Sequence, residues 1–338
     1  MGRHALTSQL RRRTVAALVG LGAGAALRGV PSASASDGSQ GPWPSRTIRI
    51  VASVAAGSSL DALARLTAAH LEPGLGQSVI VENRGGASGN IAAEAVARAA
   101  PDGYTFLFTS NSIATLPALI GARAVDPLVA LVPVGIVASQ PIVIVAHPSF
   151  QGTSFDDLIG AARSAPLPMT YATSGVGTFA HLTALWLLSL TGVEMLHVPY
   201  SGSASFRDVV SGEVQFGFAF PGSALPLVRE GKLKGIAVTG AQRLAAAPTI
   251  PTVSEAGVPG FESTNWQGML APAGTSPDIV RRLHDALLRA SRGAELDAKL
   301  RSMGFTPVFG TPEAFAQDIR HEMQRWATVA ASAGLATK

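Results

Sequence analysis

The chain has 338 residues, of which 47% are hydrophobic and only 14% are charged, and it contains no cysteine, which excludes disulfides, thiolate metal sites and cysteine nucleophiles. The net charge of +4 arises from five arginines among residues 1–35, because the remainder carries 21 basic and 22 acidic residues. The basicity therefore gives no support for nucleic-acid binding, and no nucleic-acid partner is expected.

Residues 1–35 have the pattern of a cleaved export signal. Arg11–Arg13 form its positive region, Thr14–Leu27 an apolar segment too short to span a bilayer, and Ala33–Ala35 a small-residue cleavage site. The arginine run also fits a twin-arginine signal, although the usual following lysine is missing, so the general secretory and twin-arginine routes both remain open. We expect a periplasmic protein in which residues 36–43 form a linker.

After this linker, strand-like and helix-like runs alternate along the chain. The strand-like runs are Ile48–Ser53, Ser78–Glu82, Tyr104–Thr109, Val134–Ala146, Met169–Ala172, Met195–Val198, Val214–Phe218 and Lys234–Thr239. The helix-like runs between them include Asn90–Ala99, Ser154–Ser164, Phe179–Leu190 and Ser203–Val210. This alternation predicts an α/β architecture with mostly parallel sheets, in which ligands bind at the carboxyl ends of strands.

The first strand leads into a loop of small residues, Val54–Ser59, followed by a helical run over Leu60–Leu71. Helix N-termini carry unpaired N–H groups and partial positive charge, so such a loop suits a carboxylate or a phosphate. Asp61 would repel an anion and is expected to brace the loop instead. The residues predicted to bind an anion, mainly through their backbone N–H groups, are Ala55, Ala56, Gly57 and Ser58.

A second loop of the same kind lies between Met169–Ala172 and Phe179–Leu190. Its predicted binding residues are Ser174, Gly175, Gly177 and Thr178. His181, one turn into the following helix, fits two roles equally: a hydrogen-bond donor to the anion, or a structural tie between the loop and the helix. The residues expected to line the space between the two loops are Ser110 and Asn111, which follow the Tyr104–Thr109 strand.

Other chemistry is poorly supported. Gly175–Ala180 matches the dinucleotide pattern G-x-G-x-x-A, but the chain is rich in glycine and alanine, and the signal contains the same pattern. The G-x-S-x-G elbow of hydrolases is absent, since Ala172 occupies the position of its first glycine. His181 and His197 have no carboxylate cluster beside them, so no metal is expected, and we expect no other cofactor.

The C-terminal part is predicted to be mainly helical. Ser276-Pro277 places a cap and a proline at the start of a helix that runs to about Ser291, and Thr311-Pro312 does the same for a final helix. Apolar residues at helical spacing predict the core face of that final helix. They are Phe315, Ile319, Met323 and Trp326.

Several short motifs lie in a fixed order after the signal. They are Trp43-Pro44-Ser45-Arg46, Gly57 with Asp61, Val81–Ala87, Pro101–Thr105, Tyr171–Thr178 with His181-Leu182, His197–Tyr200 with Gly202, Pro251–Gly257, and Trp266 with Gly268. Taken together, they resemble the solute receptors of tripartite tricarboxylate transporters, also called the Bug family. The resemblance covers essentially the whole chain after the signal.

The resemblance implies a two-lobed periplasmic binding protein without catalysis. Lobe 1 would comprise residues 44–143 plus 262–338 and lobe 2 residues 144–261, with crossings near Ile142–Ala146 and Phe261–Trp266. The implied ligand is a small organic carboxylate held by the two loops. The implied partners are integral-membrane transporter subunits or a sensor protein, and a monomer is the default expectation.

The chain departs from the family's pattern at two places. The first loop usually begins Pro-aromatic-x-x-Gly-Gly, whereas Ser53–Ser58 has no aromatic residue, so this side of the pocket is expected to be roomier or more polar. Ala219 stands where many members carry aspartate, which argues against amino-acid ligands. Two alternatives remain: an exported α/β enzyme acting on a carboxylated substrate, with His181 as its titratable group, and a ligand-sensing receptor without transport.

Overall fold

A computed structural model describes residues 43–200 and 205–336, so the predicted signal, residues 36–42 of the linker and Gly202 lie outside the described ranges. The strands are β1 Ile48–Ala52, β2 Val79–Asn83, β3 Thr105–Ser110, β4 Leu131–Pro141, β5 Val143–Ala146, β6 Met169–Thr173, β7 Met195–Pro199, β8 Phe216–Ala219, β9 Lys234–Val238, β10 Thr264–Pro272 and β11 Thr306–Pro307. The helices are α1 Ser59–Leu75, α2 Asn90–Ala97, α3 Ser112–Ile120, α4 Phe155–Ser164, α5 Phe179–Thr191, α6 Ser205–Ser211, α7 Pro221–Arg229, α8 Pro277–Ser291, α9 Ala294–Ser302 and α10 Pro312–Ser332.

The described strands form two separate sheets, one in each lobe. The larger has the order β11-β4-β10-β3-β1-β2, and the smaller has the order β7-β6-β8-β5-β9. Each sheet is flanked by helices and has its own buried apolar clusters. The predicted α/β, two-lobed architecture is confirmed. No helix among the described residues is both long and apolar enough to cross a membrane.

Both sheets are mixed rather than mostly parallel. β10 runs antiparallel to β3 and β4, and β5 runs antiparallel to β8 and β9, whereas β1 is parallel to β2 and β3 and β6 is parallel to β7 and β8. The sheets are mixed because of the direction in which the chain enters each of them. β5 and β10 each arrive from the other lobe and therefore start at the edge where their neighbours end. The carboxyl ends of β1, β3, β6 and β8 consequently lie at the edges that face the other lobe.

The chain crosses between the sheets at Ile142, where the single predicted strand Val134–Ala146 is in fact two strands, β4 and β5. The N–H of Ile142 donates to Thr239 Oγ1 over 2.8 Å, and the Thr239 hydroxyl donates to the carbonyl of Ser263 over 2.6 Å. Ser263 directly precedes β10, which returns the chain to the larger sheet. All three residues are at most 1% exposed, so the two crossings are joined through one buried threonine.

The mainly helical prediction for the C-terminal part misses β10. This strand lies inside the larger sheet and pairs with both β3 and β4. The two predicted helices are present as α8 and α10, with Ser276 and Thr311 as their N-caps. β10 contains Gly268 and ends at Pro272, and residues of this kind weaken a strand pattern when it is read from sequence alone.

Helix α10 packs against the cores of both lobes. Phe315 and Ile319, near its start, belong to an apolar cluster of the larger sheet. Trp326 and Val329, near its end, belong to a cluster of the smaller sheet. The predicted core face is confirmed, with Met323 only partly buried at its edge. The last helix therefore ties the two lobes together on the side that carries α3 and α5.

Glu322 lies buried on this helix between the two groups of core residues. Its Oε2 accepts a hydrogen bond from Trp326 Nε1 over 3.3 Å. Burial raises the pKa of Glu322 to about 7; Asp318 adds to the rise, whereas Trp326, Arg325 and Asn111 oppose it. Below about pH 7, this side chain is therefore mostly the neutral acid, because a charged carboxylate at such a site is costly.

Replacing Glu322 by Gln should flatten part of the dependence of stability on pH. The raised pKa means that the wild-type contribution is fully present below about pH 4.5 and is lost as pH rises through about 7, up to about 3 kcal/mol. The variant should therefore gain stability relative to wild type between pH 4.5 and 8, as measured by urea unfolding. Glu313→Gln, at the exposed start of the same helix, is the matched control. A constant difference between Glu322→Gln and wild type across this range would contradict the assignment.

Candidate functional site

The loop after β1 is held in shape by the buried carboxylate of Asp61. Its Oδ2 accepts the N–H of Gly57 over 2.8 Å, and its Oδ1 accepts Asn83 Nδ2 over 2.8 Å and lies 3.0 Å from Arg65 Nε. Burial by itself raises the pKa of Asp61, but the hydrogen bonds from Gly57, Asn83 and Arg65 outweigh it and lower the pKa below its usual value. The predicted bracing role of Asp61 is confirmed.

The rest of this first loop presents donors to the outside. Ala55 and Ala56 are exposed, and within the described residues their N–H groups have no partner. Ser58 caps α1, because its Oγ accepts the N–H of Asp61 over 3.2 Å, which leaves its own hydroxyl proton free to donate. Gly85 supports the loop from behind. A Cβ at Gly85 would lie 2.9 Å from the nitrogen of Ala55, so a side chain there would displace the loop.

The second loop, between β6 and α5, uses several of its predicted binding groups internally. The N–H of Gly175 donates to Thr173 Oγ1 over 3.2 Å, and the N–H of Gly177 donates to His181 Nδ1 over 3.1 Å. Thr178 caps α5 and donates its hydroxyl to the Gly175 carbonyl over 2.8 Å. The hydroxyl and N–H of Ser174 have no partner within the described residues, and the same is true of the N–H of the next non-glycine residue, Val176.

His181 forms the tie of its second predicted role, because its Nδ1 accepts the N–H of Gly177, whereas a contact with an anion stays a prediction. It is 4% exposed and stacks on His197, with ring centroids 3.8 Å apart. Because its Nδ1 accepts a hydrogen bond from Gly177, its proton is on Nε2. Burial, followed by the proximity of His197, lowers the pKa of His181 to about 4, so the ring is neutral at physiological pH. Nothing in the sequence pattern indicated the stack on His197, or the 2.8 Å contact between His197 Nε2 and Thr173 Oγ1.

Ser110 and Asn111 at the end of β3 have different surroundings. Ser110 is partly exposed, with its Oγ 3.2 Å from Ser112 Oγ. Asn111 is 1% exposed, and its amide lies beside the buried carboxyl group of Glu322, whose pKa it lowers by hydrogen bonding. Its side chain is therefore buried against α10, and its part in lining the space between the loops stays a prediction.

The two loops lie on the edges by which the lobes face each other, since each follows the carboxyl end of a strand that points toward the other sheet. The lobes approach closely near the second loop, where a Cβ at Gly177 would lie 3.1 Å from Leu119 Cδ1 of α3. Cavities of about 290 and 930 Å³ border α10 instead, and no predicted binding residue lines them. The described residues contain no group of three or more potential metal ligands.

Comparison with known proteins gives a consistent result. A family model described as "Tripartite tricarboxylate transporter family receptor" matches residues 63–335. The chain is 33% identical over 299 residues to Protein BugT of Bordetella pertussis. The aligned region covers 88% of this chain and 92% of that protein. Two solved structures are similar. The R. palustris protein Rpa4515 with adipate has a TM-score of 0.74 and 36% identity over 87% of this chain and 99% of its own. MatC from Rhodopseudomonas palustris with bound malate has a TM-score of 0.70 and 31% identity over 85% and 99%.

Removing the brace of the first loop should destabilise the protein. Asp61→Ala would leave the N–H of Gly57 and the amide of Asn83 without their acceptor, at a cost of about 1–3 kcal/mol. Chemical denaturation measures this loss. Glu230→Ala, which removes an exposed carboxylate paired with Lys232, is the control and should cost about 1 kcal/mol or less. Equal losses for the two variants would contradict the bracing role.

The tie in the second loop should give stability a recognisable response to acid. His181 has a lowered pKa, so the unfolded chain takes up a proton between pH 6.5 and 4 that the folded protein does not. The free energy of unfolding of wild type should therefore fall by up to about 3 kcal/mol relative to that of His181→Gln as pH falls through this range. Unfolding of both proteins at several pH values tests this. His321→Gln, at an exposed histidine, controls for the loss of a histidine as such. If the free energy of unfolding of wild type does not fall relative to that of His181→Gln on acidification, the assignment is overturned.

Proposed function

This chain belongs to the tripartite tricarboxylate transporter receptor family, and from that premise we propose that it is an exported receptor for a small organic carboxylate. The ligand would bind between the two lobes and be delivered to integral-membrane transporter subunits. Relatives of the same fold have been solved with adipate and with malate, both of which are small dicarboxylates. Their ligands support a carboxylate for this chain.

The pair of loops carries this proposal. Each loop joins the carboxyl end of a strand to the N-terminus of a helix, where unpaired N–H groups and the helix dipole favour an anion. One loop belongs to each lobe, so an anion held by both would draw the lobes together. We assign the direct contacts to the groups that have no internal partner. They are the N–H groups of Ala55, Ala56 and Ser174 and the hydroxyls of Ser58 and Ser174.

The remaining predicted residues would then set the shape of the loops. Gly57, Gly175 and Gly177 all have positive φ, and each of their N–H groups is held by a side chain. Thr178 and His181 are engaged within the second loop in the same way. In this arrangement, Ser110 borders the cleft at the end of β3. His181 is neutral and already bonded through Nδ1, so we assign it no role as a catalytic base.

We propose lobe 1 as residues 44–143 plus 262–338 and lobe 2 as residues 144–261. The division of the strands between the two sheets supports these limits, because β5 to β9 make up the smaller sheet. Binding would close the lobes by a hinge motion at the crossing segments near Ile142 and Ser263. The closed form would be the one that docks on the transporter in the periplasm.

The proposal is tested by ligand-dependent thermal unfolding of residues 36–338, which are first unfolded and refolded to remove any ligand carried through purification. The panel contains mono-, di- and tricarboxylates, amino acids and sugars. A ligand at about 100 times its Kd stabilises the folded state by about 2.7 kcal/mol, which raises the unfolding temperature. A shift with carboxylates supports the proposal, and shifts confined to sugars or amines would refute it.

Replacing Ser174 by Ala should weaken carboxylate binding by about 1–3 kcal/mol, because a hydrogen bond to a charged oxygen is lost. Thr178→Val should weaken binding indirectly and also lower stability, because it removes the hydroxyl that holds the Gly175 carbonyl and caps α5. Calorimetric titration measures the affinities. Ser189→Ala, on the exposed side of α5, is the matched control and should bind as wild type does. Unchanged affinity in both Ser174→Ala and Thr178→Val would move the site away from this loop.

A further inference from the structure

Two carboxamide side chains, Asn265 and Gln267, lie on β10 at the edge of the larger sheet that faces the second lobe. We propose that they determine ligand specificity by hydrogen-bonding a second polar group, a hydroxyl or a second carboxylate, on the bound carboxylate. This inference rests on the proposed function and adds the class of ligand to it.

The strand register places both residues at this edge. Gln267 lies opposite Ser110, the last residue of β3, and Asn265 lies opposite Gln140, near the end of β4. One residue after β4 the chain crosses to the other lobe at Ile142. The two amides therefore lie beside the end of β3, where the sequence predicted part of the cleft lining, and beside the first crossing.

The alternation of side chains along β10 identifies the face of the sheet that they occupy. Trp266 points to the opposite face, where it packs against α10. Met269 has the same parity as the two amides and belongs to the cluster that contains Leu63 of α1. Asn265 and Gln267 therefore share the face covered by α1, the helix into which the first anion-binding loop leads.

Neither amide has a side-chain hydrogen bond to any described residue, although both are buried. Asn265 is 7% exposed and Gln267 is 2% exposed, and their carbonyl oxygens Oδ1 and Oε1 are sealed from solvent without a partner. Buried polar side chains in folded proteins are nearly always paired, so two adjacent exceptions on one face require an explanation. A ligand that enters the cleft and supplies the missing partner provides it.

The chemistry of this edge limits what that partner is. Its polar side chains are Ser110, Gln140, Asn265 and Gln267, and none of the four is charged. Carboxamides both donate and accept hydrogen bonds, so they match a hydroxyl or a carboxylate oxygen. An apolar tail would leave the buried amides unpaired, and sites built for a hydrogen bond strongly reject analogues that lack it. The ligand is therefore a hydroxy- or dicarboxylate rather than a carboxylate with an apolar tail.

Two pairs of probes test this by titration calorimetry. Adipate and hexanoate differ only in the second carboxylate, and malate and succinate differ only in the hydroxyl. Wild type should bind the more polar member of at least one pair at least tenfold more tightly. Asn265→Leu and Gln267→Met should each reduce that preference about tenfold, which corresponds to about 1.4 kcal/mol. Gln324→Met, on the exposed side of α10, controls for the loss of a glutamine.

Stability gives an independent readout. Since each variant removes an unpaired buried carbonyl, its unfolding temperature should be equal to or above that of wild type, the opposite of what loss of a structural hydrogen bond would produce. The ratio of two affinities measured on one preparation is also insensitive to the fraction that is folded. An unchanged ratio in both variants, or equal weakening of both members of a pair, would overturn the inference while leaving the receptor function intact. Failure of wild type to bind any carboxylate would overturn the proposed function instead.

Discussion

The hydrogen bonds of Thr239 join the two segments by which the chain passes between its lobes. The side chain of Thr239 accepts from Ile142 on the outgoing segment and donates to Ser263 on the returning one, and its backbone bonds to the same two residues. This buried junction fixes the points at which the chain leaves one sheet and enters the other. The strands that enter there run opposite to their neighbours, and the neighbours end at the facing edges. The positions of both predicted anion-binding loops depend on this arrangement.

The loops show how a binding site made of backbone groups is kept in shape. Free N–H groups do not hold a loop in one conformation, because water can hydrogen-bond to them in many conformations. In each loop a side chain from the following helix, Asp61 in one case and His181 in the other, takes one N–H and fixes the turn. The remaining donors then point outward without further ordering. The groups predicted as direct contacts thus divide into those that are bonded within the loops and those that stay free for the proposed ligand.

Burial also shifts the pKa values of two titratable side chains near the loops and on α10. His181 is kept neutral by burial and by His197, and burial raises the pKa of Glu322, on α10, to about 7. At neutral pH, His181 is therefore uncharged, and the negative charge of Glu322 is reduced by partial protonation. The carboxamides of Asn265 and Gln267 extend this pattern to the edge of the larger sheet. Recognition at this site would rest on oriented dipoles rather than on arginine or lysine.

Sequence patterns alone determined much of this protein. The α/β class, the two loop–helix junctions, the caps of α8 and α10 and the bracing role of Asp61 all follow from local residue order, because capping and helix periodicity act over a few residues. The motif order also indicated the family.

Only the tertiary structure decided the rest, because those features depend on pairings between distant segments. It divided Val134–Ala146 between two sheets, placed β10 inside the larger sheet and made both sheets mixed. It stacked His181 on His197 and bonded its ring to the N–H of Gly177. It also buried Asn111 and set Asn265 and Gln267 at the facing edge. A strand's register and a side chain's burial are fixed by neighbours far along the chain, and local pattern carries no information about them.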